Sequence, residues 1–186
     1  MAPEKIQELR EEIKIPESIT AELVEKELTM KKGNNEIRRK IHPVINLKID
    51  RDKIILDCGR VRKTEKKIFG SMKAHIRNMI NGLEEPFKYK LQISNVHFPM
   101  TVTHNKEKNE IVVKNFLGEK TDRIVKLIRG VDVNINRDII ELKCYDREKA
   151  GQCAANIEKR TRVRNKDRRI FQDGIFIIEK PGRNFL

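Results

Sequence analysis

The chain has 186 residues, 38% hydrophobic and 37% charged, with no Trp and only 5% aromatic residues. Its 41 Lys and Arg outnumber 28 Asp and Glu, for a formal charge of +13 at neutral pH. Such a field suits a polyanionic partner and is needless for an ordinary small-molecule enzyme, while the lean apolar supply fits two small cores better than one large one.

Cys58, Cys144 and Cys153 form no CxxC pair, which argues against a disulfide framework and for a reducing compartment. No apolar run approaches the roughly 18 residues of a membrane span, and MAPEKIQELREEIK lacks the apolar core of a secretory signal. A cytoplasmic chain without membrane contact is expected.

In chain order, residues 1–12 are mostly charged and read as an amino-terminal extension. From Ile19 to Ile55, short alternating runs are separated by turn residues. Leu28 and Met30 precede the loop signal Lys31 to Asn35, Ile37 and Ile41 follow, and Ile45, Leu47 and Ile49 alternate strictly. After Asp50-Arg51-Asp52 the chain returns through Ile54, Leu56 and Cys58. Period-two alternation broken by turns predicts antiparallel strands with one buried face. The period then changes. Ile68, Met72, Ile76, Met79, Ile80 and Leu83 recur at three- and four-residue spacing, which predicts an amphipathic helix over Thr64 to Leu83, with Thr64 as its N-cap.

The pattern then repeats. Leu91, Ile93 and Val102 open new strands, Ile111, Val112 and Val113 lead to a loop at Asn115 to Gly118, and Ile124, Val125 and Leu127 follow it. Ile49-Asp50-Arg51-Asp52 matches Ile135-Asn136-Arg137-Asp138, and Leu56-x-Cys58 matches Leu142-x-Cys144, both displaced by about 86 positions. Gly70, Ala74 and Ile76 match Gly151, Ala155 and Ile157, displaced by about 81. The expected fold is therefore α+β: two tandem duplicated domains, each an antiparallel sheet packed with one main helix. The first repeat is taken as 13–86 and the second as 87–186.

The second copy carries what the first lacks. Asp146 is placed to cap its helix, with Ala150, Ala154 and Ile157 facing the sheet. Between Lys159 and Arg169 lie seven cations, Lys159, Arg160, Arg162, Arg164, Lys166, Arg168 and Arg169, against one acid, Asp167. A solvated helix face usually alternates signs; this run hardly does, and its excess of Arg suits bidentate phosphate contact. Gln152 and Asn156 add polar contacts on the helix. Gly151 and Ala155 serve either tight helix-on-sheet packing or the close approach of a nucleic acid. Phe171 and Phe176 either stack on bases or anchor the core, and the flanking isoleucines favour the core. Gly174 reads as a turn or hairpin tip, and Lys180, Gly182 and Arg183 as a loose basic tail. In the first copy, Lys73 and Arg77, with Lys63, Lys66 and Lys67, are either RNA contacts or solvated charges, as are Arg38, Arg39 and Lys40.

No catalytic or metal site is expected. His42, His75, His97 and His104 have no metal-ligand spacing, and GxSxG, HExxH and GxxxxGK[ST] are absent.

Three segments, FGSMKAHIRNMINGL at 69–83, DREKAGQCAANIEKRT at 146–161 and KDRRIFQDGIFIIEK at 166–180, resemble the sixth protein of the large ribosomal subunit in its archaeal and eukaryotic branch. The resemblance implies two α+β domains that arose by duplication and bind large-subunit rRNA near the sarcin–ricin loop and the stalk base. It also implies neighbouring ribosomal proteins, translational GTPases docking close by, and neither catalysis nor a cofactor. Much of the RNA contact then falls on Gln152, Lys159 to Arg164 and Lys166 to Arg169. Two other readings stay open: an RNA-processing enzyme, for which Asp167 and Asp173 are the available carboxylates, and a free regulatory RNA-binding protein.

Overall fold

The computed structural model describes residues 9–59 and 62–185. The chain divides into two compact units, 1–85 and 86–186, each built on the same plan.

In the first unit, β1 (Leu9–Lys14), β6 (Lys53–Cys58) and β5 (Asn46–Asp50) form an antiparallel sheet in that order. A second sheet runs β2 (Thr20–Val24), β3 (Glu27–Lys32) and β4 (Asn35–Lys40). Helix α1 (Lys63–Glu84) buries Phe69, Met72, Ile76, Met79, Ile80 and Leu83. The alternation along β6 is carried out in space, with Ile54, Leu56 and Cys58 fully buried. Two sequence expectations change here. The helix begins at Lys63 after an extended Arg62 that makes no side-chain cap bond, so Thr64 lies inside the first turn. The charged extension also does not run to residue 12, because Leu9–Lys14 pairs along β6 from Leu9↔Cys58 to Lys14↔Lys53. Residues 1–8 of that expected extension lie outside the described residues.

The second unit repeats the order. Strands β7 (Phe87–Ser94), β12 (Ile139–Cys144) and β11 (Asp132–Asn136) reproduce the β1-β6-β5 sheet, and β8 (Thr101–Asn105), β9 (Glu110–Lys114) and β10 (Arg123–Lys126) reproduce the β2-β3-β4 sheet. Helix α2 (Arg147–Arg160) follows β12 as α1 follows β6. Its start is fixed as the sequence indicates, with the Asp146 carboxylate accepting from the Glu148 and Lys149 N–H groups, which satisfies two donors that no helical carbonyl can reach. Ala150, Ala154 and Ile157 are fully buried.

The second unit then adds β13 (Gly174–Lys180), antiparallel to β7 on the edge away from β12, and the short β14 (Arg183–Asn184). Gly174 starts this strand, pairing with Ser94, and is not a hairpin tip. The carboxy-terminal cations are not a loose tail either. Lys180 pairs with Arg183 across a two-residue Pro181-Gly182 turn, where the Gly182 φ of +78° is one that glycine tolerates readily.

Candidate nucleic-acid interface

The basic run starts in the last turn of α2 with Lys159 and Arg160 and continues through the segment between α2 and β13, which is fastened to the fold at both ends. At the helix end, Thr161 is 1% exposed. Its Oγ1 donates to the Ile157 carbonyl at 3.1 Å and accepts from the Ile175 N–H at 3.1 Å. Glu158 Oε1 accepts from the Ile177 N–H at 3.2 Å. These two side chains occupy donors on the outer edge of β13, the groups a sheet edge would otherwise leave open to water or to another strand. Val163 is also buried.

A second brace comes from β10. The Arg123 guanidinium donates through Nη1 to the carbonyls of Arg160, at 3.0 Å, and Arg162, at 3.3 Å. Its Nε and Nη2 bond Glu119 at 2.8 and 2.5 Å, and it lies 3.8 Å from the Phe116 ring centroid. Arg123 thus has four of its five N–H donors used by its own chain and serves to place the carbonyls at the end of α2. The Glu119 carboxyl is held below its usual range, first by the Arg123 hydrogen bond, against burial, and then by the charges of Arg123, Arg160 and Lys166.

At the strand end, Asp173 is 2% exposed. Its carboxylate accepts from the N–H groups of Val96, at 2.8 Å, and His97, at 2.9 Å, and lies 2.6 Å from His97 Nδ1. Burial pushes this carboxyl up, but the His97 N–H and ring and the Val96 N–H outweigh it and hold it below the ordinary aspartate value. The His97 ring stacks on Phe171 at 4.7 Å, and Lys166 Nζ lies 4.4 Å from the same ring centroid. Asp167, the one acid of the run, accepts from the Arg169 N–H at 2.9 Å.

All seven cations are exposed, Lys159 and Arg160 in the last turn of α2 and the other five between these anchors. Among the described residues, none of the seven forms a direct ion pair with a carboxylate, although Arg160 and Lys166 act on Glu119 at longer range and Lys166 also lies over an aromatic face. Lys159, Arg162, Arg168 and Arg169 line a groove of about 730 Å³ together with Phe171 and Phe176 and the two carboxylates Glu158 and Asp173. The other positions singled out from sequence are distributed differently. Gln152 and Asn156 bond each other at 2.8 Å on the helix surface. Lys180 and Arg183 are exposed, with their charges 5.2 and 5.0 Å from the Phe185 ring centroid. Lys73, on α1, is ion-paired with Glu11 of β1, while Arg77 is exposed.

The two readings of the small helix residues separate in space. A Cβ on Gly151 would come within 2.9 Å of the Tyr89 hydroxyl, so this glycine serves packing, whereas Ala155 lines the groove. The core-anchoring expectation fails for Phe176, which is 38% exposed while its neighbour Ile175 is fully buried.

Sequence reasoning missed Arg123, Thr161 and the His97–Asp173 pair. Arg123 reaches carbonyls 37 and 39 residues downstream, and His97 reaches 76. No local pattern encodes those meetings. For Thr161 a signal did exist, since a hydroxyl residue one position past the helix can bond back to its last turn.

Among the described residues, no cluster of His, Cys, Asp and Glu is arranged to hold a metal ion. The surface combines exposed positive charge, part of it acting on the Glu119 carboxylate, with an open groove to which Phe171 and Phe176 contribute.

The family model described as ribosomal protein L6 matches residues 98–174, a span that includes the basic run but not Ser94 or Phe176 of the groove. The chain is 40% identical over 176 residues to the large ribosomal subunit protein uL6 of Methanococcus vannielii, covering 94% of this chain and 96% of that one. It is 38% identical over 173 residues to the protein of the same name from Methanobrevibacter smithii, covering 92% and 96%. With that identity sustained across nearly its whole length, the chain belongs to the ribosomal protein L6 family.

Proposed function

We propose that this chain binds large-subunit rRNA through the cationic segment of its second unit, near the sarcin–ricin loop and the stalk base, where translational GTPases dock beside it. As a member of its family it is a structural protein of the large ribosomal subunit, acts in translation in the cytoplasm, and is not an enzyme. The observation that carries the RNA contact is the set of seven exposed cations, unpaired with described carboxylates, on a segment braced at both ends. Because the backbone carrying most of these charges is already held by the fold, less of the attraction is lost to ordering the loop, leaving mainly the side-chain entropy of the cations themselves. The placement near the sarcin–ricin loop and the docking of GTPases rest on the family alone.

The RNA-processing reading finds little support in the geometry. Asp173 is buried under three contacts and Asp167 accepts a backbone N–H of its own turn, so neither stands ready to activate water.

The test is the salt dependence of binding to a large-subunit rRNA fragment. Arg162→Ala combined with Arg168→Ala is expected to weaken binding and to flatten the dependence of log K on log salt by roughly 0.7–0.9 per lost phosphate contact. An unchanged slope would remove both side chains from the interface. Tagged chain that fails to sediment with large subunits through a high-salt gradient would argue for a free RNA-binding module instead.

A further inference from the structure

Phe176 is an anomaly within its strand. Ile175 beside it is fully buried, yet the Phe176 ring is 38% exposed and forms part of the groove between α2 and the basic segment. The ring is held in place by what lies beneath it. A Cβ on Gly174 would sit 3.0 Å from Phe176 Cζ and 3.3 Å from the Thr161 carbonyl, so the glycine leaves the space that the ring edge uses. Cations lie against the Phe116, Phe171 and Phe185 rings. Among the described residues none covers Phe176, although four line its groove.

We propose that this groove receives a single unstacked RNA base, which stacks on Phe176 while Arg162 and Arg168 meet the phosphates on either side. The proposal rests on the RNA-binding reading above and specifies the ligand as an extruded nucleotide in place of a continuous duplex. Volume supports it, because about 730 Å³ exceeds what one nucleotide needs and falls within the range of small-ligand sites. Chemistry supports it as well. An exposed ring beside guanidinium groups offers what an unpaired base seeks, a π-face with positive charge for its phosphates, whereas bases inside an A-form helix are already stacked and cannot enter. The Glu158 and Asp173 carboxylates of the same groove are already engaged by Ile177, Val96 and His97. Ala155 keeps the helix wall low, and Ser94 and Gln172 at the rim supply hydrogen-bonding groups for a base edge.

Two end-labelled RNA hairpins with equal numbers of phosphates, one carrying a single bulged nucleotide and one fully paired, test this by anisotropy titration with the full chain. The wild type is expected to prefer the bulged hairpin. Phe176→Leu, which keeps an apolar side chain but no ring, is expected to lose about 5- to 150-fold on the bulged hairpin. It should lose nothing on the paired one and keep the wild-type salt slope, since no phosphate contact is removed. Phe176→Tyr, which keeps the ring, is expected to behave as wild type, and so reports on stacking independently of any effect of Phe176→Leu on folding. Equal losses on both hairpins, or none, with wild-type binding still dependent on Arg162 and Arg168, would overturn base stacking and leave the basic-segment reading standing. Wild-type binding no better than that of the Arg162→Ala, Arg168→Ala variant on either hairpin would overturn both.

Discussion

The two units of this chain are built to one plan and differ by a single return of the chain. In the first, β6 leads into a 22-residue α1 and the unit ends with it. In the second, β12 leads into a 14-residue α2, after which the chain turns back through the basic segment and lays β13 against β7. Among the described residues of the first unit, β1, the counterpart of β7, pairs with β6 alone.

The consequences are visible at matched positions. Lys73 and Ala154 occupy the same place in the two helices by the offset of about 81. Lys73 is partly exposed and ion-paired with Glu11, whereas Ala154 is fully buried. Arg77 and Glu158 also correspond: Arg77 is exposed, while Glu158 caps the Ile177 N–H on the edge of β13. The added strand turns a salt-bridged helix face into packed core. By doing so it fixes both ends of a segment that would otherwise be too costly to hold in one conformation.

Exchanging the matched residues should break this comparison most severely. Ala154→Lys places an ammonium in a fully buried site, where the carboxylate one turn on, Glu158, is already bonded to the Ile177 N–H, and is expected to destabilise by roughly 3 kcal/mol or more. Lys73→Ala, losing a pair that is partly in water, should change stability by no more than about 1 kcal/mol. Denaturant melts of the two variants measure both, and equal losses would mean that β13 does not create the difference.

The next effect concerns the strand-end anchor. Asp173→Ala strands the N–H groups of Val96 and His97 and is expected to cost roughly 2–3 kcal/mol at neutral pH. Because the folded carboxyl lies below its unfolded value, its contribution is complete above the ordinary aspartate range near ~3.9. It disappears as pH falls through the folded value. Wild type and variant should therefore converge in acid, and a gap that persists there would assign the stability to packing instead.

The smallest effect carries opposite signs in the two helices. Gly70→Ala meets nothing within 4 Å and gains helix propensity, so the first unit should be stabilised by up to about 1 kcal/mol. Gly151→Ala presses on the Tyr89 hydroxyl and should destabilise by roughly 1 kcal/mol once the propensity gain is offset. Thermal melts of the two single variants decide the matter, and like signs would show that Tyr89 yields.

Much of this molecule is encoded locally. Alternation sets the strands, three-and-four spacing sets both helices and Asp146 is readable as a cap, because each of these depends on neighbours within a turn or a hairpin, and the displaced matches reveal the duplication because they can be read by comparing letters alone. The cationic segment is equally plain, since charge is a property of composition. The fate of Phe176 is not. In the run Ile175 to Ile178 every residue is apolar, so period two gives no inside or outside, and only the seating of α2 across the strand buries Ile175 and leaves Phe176 to the groove. The braces that hold the cations outward, Arg123 on the end of α2 and Asp173 on the Val96–His97 backbone, join residues dozens of positions apart. Sequence supplied the charges and the repeat; folding decided which side chains remained free to act, because burial and hydrogen-bond partners are settled only when distant segments meet.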